Sequence, residues 1–128
     1  MILVVEDEVL VRLDIAEYLR GEGYTVLEAA SGDEALTVFG AVDEVDLVFS
    51  DINMPGALDG KALAIWLSEN NPQIPVILTS GIQASLQDAK TACPTIAATF
   101  DKPYSQAAVA DQIRAQLALS SAARAGGA

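Results

Sequence analysis

The chain has 128 residues, 52% of them apolar, and 18 acidic against 7 basic side chains give it a net charge of −11. That length suits one domain with a sizeable core. The acidic balance argues against a nucleic-acid surface or an anionic membrane as partner, and favours a basic partner or a cation held by the acids themselves.

Met1 leads into an apolar run, Ile2 to Val5, predicted as a buried strand that ends in Glu6-Asp7-Glu8. This start carries neither the basic segment nor the cleavage site of a signal peptide. Residues 8–20 follow as a helix with Val9, Leu13 and Ala16 on one face, punctuated by Gly21 and Gly23. Residues 24–28 form a second strand. Ser31 and Glu34 make a capping box, opening a helix whose apolar face is Ala35, Val38 and Phe39. The third strand, 46–50, delivers Asp51 at its end, and a loop through Asn53, Pro55 and Gly56 leads to a helix at 59–69, stopped by Asn70-Asn71-Pro72. Trp66 in that helix is expected to pack against the body. A fourth strand, 75–79, ends in Thr79-Ser80. Residues 82–92 read as a weak helix broken by Pro94. Beside it the single cysteine, Cys93, has no disulfide partner, which points to a reducing compartment. A fifth strand near 96–100 ends in Asp101-Lys102-Pro103, and a last helix, 104–119, aligns Val109, Ile113 and Leu117. The domain is expected to span 1–119, with the small residues of 120–128 as a flexible tail. No apolar run approaches the ~20 residues of a membrane span, so a cytoplasmic location is expected.

Regular alternation of apolar strands with helices means a parallel sheet covered on both faces. Five such units fit an α/β, flavodoxin-like (βα)5 doubly wound sheet of order 2-1-3-4-5, whose ligands sit at the carboxyl ends of the strands beside the reversal point. Glu6-Asp7 and Asp51 flank that point. Each group alone has an ordinary explanation as a helix start, a turn or a cap. Together, three carboxylates in one crevice repel unless a cation intervenes, and Mg²⁺ accepts oxygen ligands of this kind. The hydroxyl of Thr79 and the ammonium of Lys102 complete a set able to handle a phosphoryl group. No histidine occurs in these residues, which removes Ser-His-Asp catalysis, His-ligated zinc and a phosphohistidine within the chain.

Over residues 2–119 the chain resembles the response regulator receiver domain of two-component signalling. The resemblance rests on Val4-Val5-Glu6-Asp7-Glu8, on the run Asp51 to Gly56 with Asp59-Gly60, on Thr79-Ser80 and on Lys102-Pro103. It implies that Asp51 is the phosphoacceptor and that Asp7 and Asp51 ligate Mg²⁺. Glu6 would act on the metal through water, and the Asn53 backbone carbonyl would complete the ligands. Thr79 would bind the phosphoryl group, Lys102 would pair with Asp51 and then with its phosphate, and the Lys102-Pro103 bond would be cis. The resemblance also implies a histidine kinase or histidine phosphotransfer protein as donor, a downstream protein as target, and a monomer or weak dimer. Catalysis would be limited to the domain's own phosphotransfer and slow autodephosphorylation.

The rival expectations are a Mg²⁺-dependent phosphatase with an aspartyl nucleophile, a flavin- or nucleotide-binding protein of flavodoxin type, and a C-terminal receiver excised from a hybrid histidine kinase. The phosphatase normally places its nucleophile in an Asp-x-Asp after the first strand, where this chain has Glu6-Asp7-Glu8. The flavodoxin type needs a phosphate loop at the same place. The chain also departs from the receiver pattern. Thr99 stands three residues before the lysine, where receivers carry Tyr or Phe, and the aromatic is Phe100. The loop Gly56 to Asp59 is one residue longer than the commonest form. The expectation is that acceptor chemistry is retained and the aromatic switch is not. A poorly packed segment at 82–95 would then move instead, with the Thr99 hydroxyl joining that of Thr79.

Overall fold

A computed structural model describes the backbone of residues 1–54, 56 and 58–126, and side chains through Ser120. Strands β1 (Ile2–Val5), β2 (Val26–Ala29), β3 (Leu47–Asp51), β4 (Val76–Ser80) and β5 (Ala98–Asp101) alternate with helices α1 (Val9–Gly21), α2 (Gly32–Ala41), α3 (Gly60–Asn70), α4 (Gln83–Ala92) and α5 (Gln106–Gly126). All neighbouring strands are parallel, in the order β2-β1-β3-β4-β5. This is the flavodoxin-like arrangement expected from the alternation.

The central strands β1, β3 and β4 are fully buried because the pleat sends successive side chains into two separate cores. Leu3, Val5, Val48 and Leu78 meet Leu63 and Leu67 of α3 and Leu86 of α4. Ile2, Val4, Phe49 and Ile77 meet Ile15 and Leu19 of α1 and Val109 and Ile113 of α5. Trp66 stacks against Phe39 with ring centroids 5.9 Å apart, a packing role as expected. Local signals fix the helix starts. The Glu34 N–H donates to Ser31 Oγ at 3.1 Å, while Glu34 Oε1 accepts from Ala30 rather than Ser31, closing the box one residue further out. Asp59 Oδ1 accepts from the Ala62 N–H at 2.9 Å, a cap whose loss costs about 1 kcal/mol.

Three elements differ from their expected form. On α1 the buried residues are Ile15, Ala16 and Leu19, while Val9, Leu10 and Leu13 stay exposed. The stripe that meets the sheet is therefore rotated from the Val9-Leu13-Ala16 face. Secondly, the segment after β4 is not poorly packed. Leu86, Ala89 and Cys93 are all buried, and their i, i+3, i+7 spacing gives one apolar stripe beneath an otherwise polar helix. Thirdly, α5 continues past 119 to Gly126. Residues 120–126 are thus helical in backbone, and Gly127 and Ala128 lie outside the described residues, as do Pro55 and Ala57 of the loop expected to be extended.

The turn after β3 brings α3 hard against the strand end. A Cβ on Gly60 would lie 2.3 Å from the Asp51 carbonyl oxygen and 2.6 Å from Ile52 Cα, so only glycine fits there. A Cβ on Gly40, within α2, would meet nothing within 4 Å. Gly60→Ala is accordingly expected to lower unfolding stability by roughly 2–3 kcal/mol through overpacking. Gly40→Ala should instead add up to about 1 kcal/mol by removing glycine's entropy. Urea unfolding of both variants checks this, and equal effects would contradict the close-approach account.

Candidate functional site

The sheet register carries polar groups from separate strands to one place. Asp51 ends β3 opposite Thr79 on β4, and Thr79 lies opposite Phe100 on β5. The ladder continues beyond the strands. The Glu6 N–H donates to Ala29, that of Ile52 to Thr79 and that of Lys102 to Ser80, so the residues that follow each strand stay in register. Glu6, Asp7 and Asp51 each offer a carboxylate oxygen, and these atoms lie within 4.8 Å of one another. Glu6 and Asp51 are buried.

Lys102 reaches back over this cluster, past a cis peptide to Pro103. Its Nζ donates to Glu6 Oε1 at 2.6 Å and to Asp51 Oδ2 at 3.3 Å. The expected pairing with Asp51 is therefore present, but the shorter contact is with Glu6. Burial is the chief reason that Glu6 holds its proton up to about 7. Lys102 opposes the shift by its hydrogen bond, and Asp51 adds to it. For Lys102, burial works against the charge, but the hydrogen bond it donates to Glu6 and the field of Asp51 outweigh it, and the net shift is upward. The ammonium is cationic throughout the physiological range.

Asn53 sits on the rim, its N–H donating to Asp51 Oδ1 at 3.3 Å and its side-chain oxygen accepting from Ser80 Oγ at 2.5 Å. Ser80 Oγ also accepts from the Ile82 N–H, tying the loop after β3 to the loop after β4. Thr79 is buried, and among the described residues its Oγ1 is the one buried side-chain nitrogen or oxygen left without a hydrogen-bond partner. An orphaned buried hydroxyl costs about 1–3 kcal/mol, which makes it a candidate for pairing with a bound group. Thr99 does not supply that partner. It lies opposite Leu78 on the α4 side of the sheet, beside Leu86 and Gln87, whereas Phe100 packs on the other side with Tyr104. Tyr104 stacks edge-on against Phe49, and burial pushes its phenol up to about 12.

All six residues singled out in the sequence, Glu6, Asp7, Asp51, Asn53, Thr79 and Lys102, thus gather at the carboxyl end of the sheet. The donor set is oxygen alone, with a cation and a hydroxyl alongside, which fits a hard divalent ion such as Mg²⁺ better than a thiophilic metal. Two participants were not assigned a place in the site from the sequence: Ser80, which entered only alongside Thr79, and Arg12, whose guanidinium donates to the Glu6 carbonyl oxygen.

The profile described as "Response regulator receiver domain" matches residues 2–114, and the chain belongs to that family. An 81-residue stretch is 46% identical to the sensor kinase CckA of Brucella abortus, covering 62% of this chain but only 8% of the kinase. The receiver domain of NtrX from Brucella abortus superimposes with a TM-score of 0.80 at 30% identity, covering 91% of this chain and 98% of that one. The response regulator TrrA from Thermotoga maritima, solved in complex with Mg²⁺-BeF, gives a TM-score of 0.79 at 28% identity over 90% of this chain and 96% of that one. Among the described residues no helix is long and apolar enough to cross a membrane.

Because Glu6 holds its proton to about 7 in the fold but only to 4.5 ordinarily, the folded state binds the extra proton between those values. Its contribution to stability is complete below the lower value and is lost as pH rises through the upper one. In EDTA, Glu6→Gln should match the wild type near pH 5 and exceed it by roughly 2 kcal/mol near pH 8. Chemical denaturation at the two pH values measures this; a pH-independent difference would contradict the assignment.

Proposed function

We propose that this chain is the phosphoacceptor of a two-component phosphorelay, taking a phosphoryl group from a phosphohistidine partner onto Asp51 and signalling by altered protein binding. The observation that carries the proposal is the meeting of three carboxylates, the Lys102 ammonium and the unpaired Thr79 hydroxyl at one end of the sheet. In the transfer, an Asp51 oxygen forms the new P–O bond as the P–N bond to the donor imidazole breaks. The protein's task is positioning and charge stabilisation. Asp7 and Asp51 would hold Mg²⁺, with Glu6 acting through water and the Asn53 backbone carbonyl as a further ligand, and the ion would neutralise charge on the phosphoryl oxygens. Lys102 would leave its place between Glu6 and Asp51 to pair with the transferred group. Thr79 would donate to a phosphoryl oxygen, gaining the partner it lacks, and so draw on the loop that Ser80 ties to Asn53.

The donor is a histidine kinase or histidine phosphotransfer protein, since these residues contain no histidine of their own. Exposed Val9, Leu10 and Leu13 on the first turns of α1 offer an apolar landing surface beside the acids. The chain spans under a tenth of the CckA kinase that it matches, so the source kinase, the target and a cytoplasmic setting belong to this proposal. Catalysis beyond the domain's own phosphotransfer and slow hydrolysis is not part of it.

With acetyl phosphate and Mg²⁺, Asp51→Asn should take up no phosphate while keeping the wild-type circular dichroism spectrum. Asp7→Ala should weaken Mg²⁺ binding, followed by amide NMR shifts, by about tenfold or more, a loss of ~1.4 kcal/mol. Phosphorylation retained without the Asp51 carboxylate would sink the proposal.

A further inference from the structure

Arg12 makes two contacts that its place on α1 does not require. Its Nη1 donates to the backbone carbonyl of Glu6 at 2.9 Å, and its Nε donates to Glu28 Oε1 at 3.2 Å. Glu28 is held in turn by Arg20, whose Nη2 donates to Glu28 Oε2 at 3.0 Å and to the Val26 carbonyl at the same distance. The Glu6 peptide is also fixed from its other end, because its N–H donates to Ala29 of β2. The Arg12 side chain is only 16% exposed and that of Glu28 22%, so these bonds sit where water competes poorly.

A guanidinium bonded to the peptide that joins Glu6 to Asp7 is electrostatically the wrong group to set beside a cation site. It opposes a divalent ion there, and a chain selected only for charge would do better without it. Its geometry supplies what the charge does not. The planar fork spans two acceptors on different elements, one on β2 and one on the peptide between the two acids. We propose that Arg12, oriented by Glu28, is a positioning residue that fixes the Glu6–Asp7 turn so that the Asp7 carboxylate faces Asp51. The inference rests on the Mg²⁺ reading given above. Outer hydrogen bonds of this kind set ligand direction at metal sites, and their removal typically weakens binding 10- to 100-fold.

The sign of one measurement separates positioning from charge. Removing a cation beside the acids should tighten Mg²⁺ binding if charge is all that Arg12 contributes; releasing the turn should weaken it. Mg²⁺ titrations followed by amide NMR shifts would compare the wild-type chain with Arg12→Gln and Arg12→Lys at a temperature where each is folded. Both variants are expected to bind Mg²⁺ about tenfold more weakly, since lysine keeps the charge but cannot span the two acceptors. In EDTA the Glu6 carbonyl ¹³C resonance should move upfield in both, reporting the lost hydrogen bond without any metal. Equal or tighter binding in Arg12→Gln, or wild-type binding in Arg12→Lys, would overturn the role; if the glutamine variant does not fold, the lysine variant decides. A wild type that takes no Mg²⁺ overturns the proposed function, whereas variants that bind as well as a binding wild type overturn only the role of Arg12.

Discussion

Like charge at close range is the constraint around which this molecule is built. Glu6, Asp7 and Asp51 bring carboxylate oxygens within 4.8 Å of one another, two of the three residues buried, and like charges held that close repel unless a cation answers them. Lys102 answers it from the far side of the sheet, donating to Glu6 and Asp51 together. The answer is partial, because burial first and the field of Asp51 second still let Glu6 hold its proton to about 7. A fold optimised for stability alone would replace this arrangement with apolar side chains. Its retention, next to a threonine hydroxyl left unpaired, is what a site kept for cation and phosphoryl chemistry looks like.

The scaffold makes the convergence possible by a simple rule. Parallel strands in register end at one level, so the residues that follow β1, β3, β4 and β5 share a rim without any long loop to carry them. The central strands β1, β3 and β4 bury both faces, and their polar groups stand at that rim. Rigidity is added from beneath by Gly60, whose missing side chain lets α3 seat on the Asp51 backbone. From the side, Tyr104 packs edge-on against Phe49 of β3.

The fold was legible because β1, β3 and β4 are short apolar runs closed by polar residues, and because Ser31, Asp59, Asn71 and Pro94 punctuate the helices at their ends. The site was legible for the same reason: strand ends are where a parallel sheet presents its chemistry. What stayed hidden depends on which way a helix is turned. Val9 and Leu13 repeat with the right period for a buried face, yet the sheet meets the Ile15–Leu19 stripe instead. The polar segment around α4 concealed a stripe of only Leu86, Ala89 and Cys93, enough for a helix that covers one edge of the sheet. Arg12 and Ser80 could not be found by pattern, since their partners, the Glu6 carbonyl and the Asn53 side chain, are brought near only by the completed sheet. Thr99 was recognised as a departure, but the pleat that sets it on the opposite side from Thr79 becomes visible only with the strand register.

The central claim is that one carboxylate of the three, at the end of β3, carries the phosphoryl group. An acyl phosphate is reduced by borohydride to an alcohol, which converts a phosphorylated aspartate to homoserine and marks its place permanently. Treating the chain with acetyl phosphate and Mg²⁺, reducing it, and sequencing the peptides by mass spectrometry should find homoserine at position 51 and nowhere else. Homoserine at Asp7 or Asp59, or at no position, would contradict the account.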